Sequence, residues 1–417
     1  MTFQYSSPAL ASSQLRLLKP VSNANKRILE FKIIQVPRGD APLYTAVSYT
    51  WGDGQPSEII ILNGQIFHIS VTLWSCLYYL CLHSQCAGWT HIWVDAICIN
   101  QNSVTEKNAQ VRLMDETYRK AVCVSVWLGL IPGAEQWRRR LNTPGPVRTF
   151  DADPFEWTDY ISDLANRPYW SRFWVIQEFL LCENVNIYCS GNQIDWFRFK
   201  EILGYETNIN IVSDTESLGL GNAIADSHAA IPLVMGRHPD KHPEFLRPLH
   251  ELLVEHHRSK SKDPRDRVFA LLGLIPHDER RLIQRLLPEY SLSEDHVAII
   301  ALAHVLLFNR FNHRDELVTT DSDELFRGLG IERRTCRRRL LRRAKDLDYV
   351  GCDELGYFLA QMELTDFDEN ARYDEDRNWE AEDGPETESS TVSFMMIFLL
   401  VVILGLGTWL YWSGKIL

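Results

Sequence analysis

The sequence predicts an α/β protein, and two apolar strands and one helix start carry that prediction. Residues 90–97 and 121–128 are almost entirely apolar, as is typical of strands that a parallel sheet buries on both faces. Between them, the run from Ser103 to Glu106 forms a capping box that opens a helix. Strand and helix therefore alternate, which favours a parallel sheet with flanking helices and right-handed crossovers.

Further elements are predicted around these two strands. The predicted strands are residues 27–36, 44–51, 58–62, 65–69 and 184–189, and the predicted helices are 71–86 and two helices within 154–181 that break near Pro168. Asn63 and Gly64 separate two of the strands, and this pair is the strongest short signal for a hairpin. Beyond about residue 200 the apolar spacing indicates a mainly helical region.

Length and composition are those of a folded protein with more than one domain. The chain has 417 residues, of which 45% are hydrophobic and 24% are charged, and its formal charge is −12. These fractions exclude a wholly disordered chain, a collagen and a disulfide-rich scaffold. At about 100–200 residues per domain we expect two or three units. Nine cysteines, a low and odd number, favour a reducing, cytosolic setting.

The C-terminal part carries the plainest physical signal. The stretch from Glu363 to Glu388 contains twelve acidic residues and only two arginines, which predicts a solvated acidic linker. Val392 to Trp412 then holds 21 residues without a charge, enough for a helix about 31 Å long. We expect a single-pass tail anchor that leaves the bulk of the chain in the cytosol. The expected membrane is that of the endoplasmic reticulum rather than the mitochondrial outer membrane. A buried core helix is the alternative.

Four segments together carry a resemblance to a known family. They are YTAVSYTWG at 44–52, WVDAICINQ at 93–101, RFWVIQE at 172–178 and DPRDRVFALLGL at 263–274. This set closely resembles the fungal heterokaryon incompatibility (HET) domain family. The resemblance implies a fungal protein that triggers regulated cell death when genetically different hyphae fuse.

The expected organisation follows from the motifs and the composition. It comprises an N-terminal strand region at 1–43, a HET domain at 44–200, a mainly helical region at 201–362, an acidic linker at 363–391 and a transmembrane helix at 392–412.

A second, more distant resemblance concerns mechanism. HET domains look related to Toll/interleukin-receptor (TIR) domains, which have a flavodoxin-like parallel sheet and in some cases cleave NAD with one glutamate. The resemblance implies Glu178 as the catalytic carboxylate and NAD as a substrate, with no cofactor. It places Ser48, Trp51, Asp53 and Asp95 around the pocket, at the carboxyl ends of parallel strands. A fixed carboxylate would stabilise the positive charge that develops on the ribose.

Each of these residues also has a structural interpretation. For Glu178 it is pairing with an arginine or capping a neighbouring element. Asp95 is suited to bonding the turn at 98–100, where Asn100 and Gln101 satisfy loop backbone groups. Trp51, Trp93 and Trp174 are typical core residues. Cys98 is expected to be a buried thiol rather than a nucleophile.

Two further clusters are assigned no chemistry. Cys76, Cys81, His83 and Cys86 lack the paired spacing of zinc ligands, so no metal site is expected. The basic run at 333–345 fits a solvated helix face best, with an anionic membrane surface and nucleic acid as alternatives. No nucleic acid partner is expected.

The first functional hypothesis is a membrane-anchored incompatibility module that acts by self-association or by binding another incompatibility protein. Anchoring would raise the effective concentration for such assembly. The second hypothesis, from a different class, is an NAD glycohydrolase that uses Glu178. An inert, decayed paralogue is the third.

Overall fold

The computed structural model describes residues 3–5, 9–21, 28–52, 54–83, 88–131, 154–207, 230–237, 246–311 and 322–331. Asp53, the basic run at 333–345, the acidic linker and the predicted membrane span at 392–412 lie outside these residues. Within the described part, no helix is long and apolar enough to cross a membrane.

The described chain contains one nine-stranded sheet. Its strands are β1 (Gln14–Pro20), β2 (Glu30–Pro37), β3 (Tyr44–Tyr49), β4 (Glu58–Leu62), β5 (Gln65–Ile69), β6 (His91–Trp93), β7 (Cys123–Trp127), β8 (Val185–Cys189) and β9 (Asn192–Asp195). Their order across the sheet is β5-β4-β2-β1-β6-β3-β7-β8-β9. The expectation of an α/β protein is confirmed.

The sheet is mixed, so the expectation of a parallel sheet holds only for its centre. Strands β6, β3, β7 and β8 are parallel neighbours, as are β2 and β4, whereas the pairs β1–β2, β1–β6, β4–β5 and β8–β9 are antiparallel. The reason lies in the connections. Residues 21–29 link β1 to β2 and are fewer than the dozen or so that a parallel crossover needs. The strand β1 itself had no distinct signal in the sequence.

The predicted hairpin is confirmed. Strands β4 and β5 pair in register from Glu58–Ile69 to Leu62–Gln65. Asn63 and Gly64 have φ values of 49° and 77°, so both occupy the left-handed region that a tight turn of this hand requires.

The strand predicted at 90–97 is shorter than expected. β6 ends at Trp93, and a four-residue helix follows from Asp95. An apolar run alone does not distinguish a buried strand from a buried helical turn. Here the Asp95 carboxylate accepts a hydrogen bond from the N–H of Ala96 at 2.7 Å, which favours the turn.

Helices pack around the sheet and form most of the later chain. They are α1 (Val71–His83), α2 (Asp95–Cys98), α3 (Val104–Val111), α4 (Met114–Arg119), α5 (Pro154–Ala165), α6 (Phe173–Leu180), α7 (Trp196–Thr207), α8 (Ile231–Gly236), α9 (Leu249–Glu255), α10 (Asp266–Phe269), α11 (His277–Ile283), α12 (Glu294–Phe311) and α13 (Ser322–Gly328). Ser103 caps α3 by accepting from the N–H of Glu106, as predicted. A 3-10 turn from Pro168 separates α5 from α6, also as predicted.

The helical region beyond residue 200 docks directly on the sheet-bearing part. Buried apolar residues from both parts form one continuous cluster. Arg280 on α11 donates to both carboxylate oxygens of Asp115 on α4, at 2.5 and 2.8 Å. Gly273 lies so close to α4 and α6 that a Cβ there would stand 2.6 Å from Asp115 and from Gln177. This close packing sets the position of the residues just before Gly273 relative to the sheet.

Candidate functional site

The candidate site lies where the order of the parallel strands reverses. In chain order the four central parallel strands are β3, β6, β7 and β8, and across the sheet they lie in the order second, first, third, fourth. This is the order of flavodoxin-like sheets, which bind ligands in the crevice beyond the carboxyl ends of the first and third strands. Here those strands are β3 and β7, and the loop that follows β3 begins at Thr50.

A cavity of about 740 Å³ opens at this place. Three stretches contribute to its wall. The loop from Thr50 to Gly52 and the start of α6 from Arg172 to Trp174 form the first wall, and the segment from Lys260 to Asp266 forms the second wall. Its volume falls within the range of about 300–1,000 Å³ that is usual for small-molecule sites.

Trp51 and Asp95, two of the predicted pocket residues, line this cavity together. The indole N–H of Trp51 donates to the Asp95 carboxylate at 3.0 Å, and the Trp51 side chain stays 40% exposed. Burial raises the pKa of Asp95, while Arg172 and the bonds from Ala96 and Trp51 oppose that rise. The Asp95 side chain therefore orients the exposed indole of Trp51.

Ser48 and Glu178 form a buried pair that is not part of the cavity wall. The Ser48 hydroxyl donates to the Glu178 carboxylate and lies 2.7 Å from the hydroxyl of Tyr169. Glu178 is only 3% exposed, and Ser48 is fully buried. The structure thus brings Trp51 and Asp95 to one cavity and sets Ser48 and Glu178 apart from its surface.

Burial raises the pKa of Glu178 to about 7. The negative charge of Asp95 raises it further, while Arg172 and the hydrogen bonds from Ser48 and Tyr118 lower it. Because the charge of Asp95 acts on Glu178, the buried pair is electrostatically coupled to the cavity. The Arg172 guanidinium donates to the backbone oxygen of Tyr49, at the end of β3.

The structural interpretations also find counterparts. Gln101 donates to the backbone oxygen of Asp95 at 2.9 Å, as expected of a side chain that satisfies the hydrogen-bonding groups of a loop backbone. Trp93 is a core residue, 2% exposed, whereas Trp174 is half-buried on the cavity wall. Cys98 is buried, and its burial raises the thiol pKa to about 12, which leaves it unreactive near neutral pH. Among the described residues, no group of three or more His, Cys, Asp or Glu side chains is placed to hold a metal ion.

The sequence did not predict the second wall of the site, the segment from Lys260 to Asp266. This segment is attached to the start of α6 by two backbone bonds, one from the N–H of Phe173 to the oxygen of Lys260 at 3.0 Å and one from Lys260 to Ser171 at 2.6 Å. Its motif was singled out only for the family resemblance. The density of charged residues in DPRDR was the available sign of a functional segment. The contact of this segment with residue 172, however, depends on the tertiary fold.

An ordered network holds this second wall. Arg265 donates to both carboxylate oxygens of Asp263, at 2.9 and 2.7 Å, and to the backbone oxygens of Tyr290 and Leu292. The Tyr290 hydroxyl donates to Asp266 at 2.6 Å. Burial raises the pKa of Asp266, and the bond from Tyr290 opposes that rise. The second wall is therefore held in place by hydrogen bonds to residues beyond position 280.

The chain is thus an α/β protein with a cavity of ligand size at the switch point of its parallel strands. Residues 44–178, about a third of the chain, match the family model described as heterokaryon incompatibility protein (HET). Over 182 residues the chain is 34% identical to Heterokaryon incompatibility protein 6, OR allele, of Neurospora crassa. That alignment covers 40% of this chain and only 25% of the relative.

The expected HET resemblance is confirmed for the matched segment, which runs from β3 to Glu178 on α6. No solved structure matches the chain, so the more distant resemblance to TIR domains stays a prediction.

Proposed function

We propose that this chain acts in heterokaryon incompatibility, as an allorecognition module that triggers regulated cell death by self-association or by binding another incompatibility protein. The observation that carries the proposal is the match of residues 44–178 to the HET family model. That segment holds β3, β6 and β7 together with the first wall of the cavity. The name and partial identity of the Neurospora relative support the same role.

The proposal includes a membrane anchor at Val392 to Trp412. Its support is the uncharged run of 21 residues, which as a helix is about as long as a bilayer core is thick. Confinement to a membrane, with the endoplasmic reticulum as the favoured one, raises the effective concentration of a module that assembles with copies or partners.

Inducible expression of the full chain in a filamentous fungus tests this role. We expect dead hyphal compartments, scored with a vital dye, after induction or after fusion with an untransformed strain. Removal of residues 392–417 should lower the killing, and replacement of 392–412 by an unrelated apolar span of equal length should restore it. Full viability with abundant, folded, membrane-bound chain contradicts the proposal.

A second candidate function, NAD glycohydrolase, is favoured by one observation. Glu178 is a fixed, buried carboxyl group with a pKa of about 7, held by Ser48 near the end of β3. In the reaction water and NAD give nicotinamide, ADP-ribose and a proton, and an ionised Glu178 would stabilise the charge on the ribose. Because Glu178 is 3% exposed, this role requires the groups that cover it to move on substrate binding.

Nicotinamide release from NAD by the purified full-length chain tests the second candidate. We expect activity that rises with pH to a plateau above about 7, because the carboxylate is the active form. Glu178→Gln should abolish release, and the exposed control Glu201→Gln should not. Equal turnover in the Glu178→Gln variant contradicts the assigned role.

A further inference from the structure

Two lysines on the second wall of the cavity carry positive charges that no described carboxylate pairs with. Lys260 and Lys262 line the cavity and are exposed, and neither has an ion-pair partner within the described residues. Both lie outside the segment that matches the HET family model. An exposed pair of ammonium groups at the mouth of a concave site is suited to an anionic ligand group.

Most other charges of the wall are already engaged with one another. Arg265 is paired with Asp263, Asp266 accepts from Tyr290, and Asp95 accepts from Trp51. The Lys107 ammonium lies 3.6 Å from the centre of the Tyr290 ring. In the part of the chain that the structure describes, Glu294 is the one wall carboxylate without such a partner. Among the described residues, the cavity wall therefore carries two cations and one anion without an ion-pair partner.

The first wall offers an aromatic surface. Trp51 is 40% exposed although it is a large apolar side chain, and its indole N–H is fixed to Asp95 at 3.0 Å. With its edge held in this way, the ring presents a preorganised face on which a planar aromatic group can stack. The cavity thus combines an aromatic face on one wall with free cations on the other.

We propose that the cavity binds a nucleotide, with its pyrophosphate on Lys260 and Lys262 and its base stacked on Trp51. A volume of about 740 Å³ is of the size that such a ligand needs. The inference goes beyond incompatibility, because binding is measured on the purified protein whether or not the chain kills cells. It also needs no turnover, so its failure is separate from that of the glycohydrolase.

Isothermal titration calorimetry on the purified full-length chain tests this assignment with ADP, NAD, adenosine and inorganic pyrophosphate. ADP should bind more tightly than adenosine or pyrophosphate, each of which carries only half of the recognised chemistry. NAD that binds more tightly than ADP would assign the site to dinucleotides, and the reverse order would assign it to mononucleotides. Both orders support the proposal.

Variants separate the two halves of the site. Lys260→Gln with Lys262→Gln should weaken ADP binding at least about tenfold, since hydrogen bonds to charged groups are lost. The exposed lysine Lys32, on β2 and away from the cavity, supplies the matched control Lys32→Gln, which should bind ADP as the parent does. Trp51→Ala should weaken ADP but not pyrophosphate, and Trp51→Phe, which keeps a ring, should recover most of the loss.

Several results overturn the proposal. They are no ADP binding at millimolar concentration, unchanged binding in the double lysine variant, or pyrophosphate binding as tight as that of ADP. Circular dichroism and the thermal midpoint of each variant show that a loss of binding comes from the site and not from unfolding.

Discussion

Ser48 on β3 donates a hydrogen bond to the carboxyl group of Glu178 on α6, so a buried acid is tied to the strand whose end opens into the cavity. The bond joins two of the segments that carry the family resemblance, 130 residues apart in the chain. Because burial raises the pKa of Glu178 to about 7, this acid changes its charge in the physiological range. The pair therefore makes stability, and not only chemistry, depend on pH.

The first prediction concerns the pH dependence of stability. Glu178 has a pKa of about 7 in the folded chain against an ordinary 4.5, so between these values the folded state holds the proton more tightly. The free energy of unfolding should therefore fall as pH rises from about 5 to 7.5, by at most about 3 kcal/mol. Urea unfolding across this range measures it.

The matched variants for this prediction are Glu178→Gln and Glu201→Gln. Glutamine does not ionise, so Glu178→Gln should remove this fall, whereas the exposed Glu201→Gln should keep it. A parent protein whose stability is flat across the range would show that Glu178 does not titrate there.

The second prediction concerns the donor of this bond. Ser48→Ala removes a hydrogen bond to a carboxylate at pH 8, which should cost about 1.5–3 kcal/mol of stability, and less at pH 5, where Glu178 is protonated. Ser125 is a matched control, since its hydroxyl lies 2.7 Å from that of Thr45 in the same sheet and the pair is neutral. Ser125→Ala should cost about 1 kcal/mol at both pH values. Equal losses for Ser48→Ala at both pH values would contradict the charged bond.

The third prediction concerns a second buried acid with the opposite behaviour. Glu106 accepts hydrogen bonds from Arg16, from the N–H of Asn100 at 2.7 Å and from the N–H of Leu10 at 2.9 Å. Burial alone would raise its pKa, but Arg16 and these donors outweigh it and hold the pKa below the usual 4.5. Its stabilisation is thus present above that value and lost as the pH falls.

Glu106→Gln should therefore cost about 3–5 kcal/mol at pH 7, because it leaves Arg16 as a buried charge without its partner. The deficit should shrink in acid. Glu116 forms an exposed pair with Lys120, and Glu116→Gln should cost at most about 1 kcal/mol. Similar losses in the two variants would show that the Arg16 pair is not special.

Local chemistry explains what the sequence predicted well. The hairpin turn at Asn63 and Gly64 and the cap at Ser103 depend on a few neighbouring residues, and both are confirmed. Glu106 illustrates the limit of such rules. In a capping box the side chain at this position usually accepts from the backbone N–H of the cap residue, here Ser103. The Glu106 side chain instead accepts from Arg16 on β1, 90 residues away.

The second wall of the site was not predicted for a similar reason, since its place in the site depends on tertiary contacts and not on neighbouring residues. The resemblance to TIR domains placed Trp51 and Asp95 in a pocket at the carboxyl ends of parallel strands, and both line the cavity. Lys260 and Asp266 reach it only because the helical region docks on α4 and α6, and no local pattern encodes that contact. The parallel direction of the central strands was predicted from the alternation of strands and helices, whereas the antiparallel β1 was not predicted.

The last prediction tests this docking through Gly273. An added Cβ would lie 2.6 Å from the Cβ of Asp115 and 2.6 Å from the Oε1 atom of Gln177, so Gly273→Ala must push the helical region away from α4 and α6. Overpacking of this kind costs about 1–3 kcal/mol. The control is Gly39→Ala, since a Cβ at Gly39 meets no atom within 4 Å and should change stability by less than about 0.5 kcal/mol. Thermal unfolding and limited proteolysis of both variants measure the effect, and equal midpoints would show that the two regions are not packed as tightly as the structure indicates.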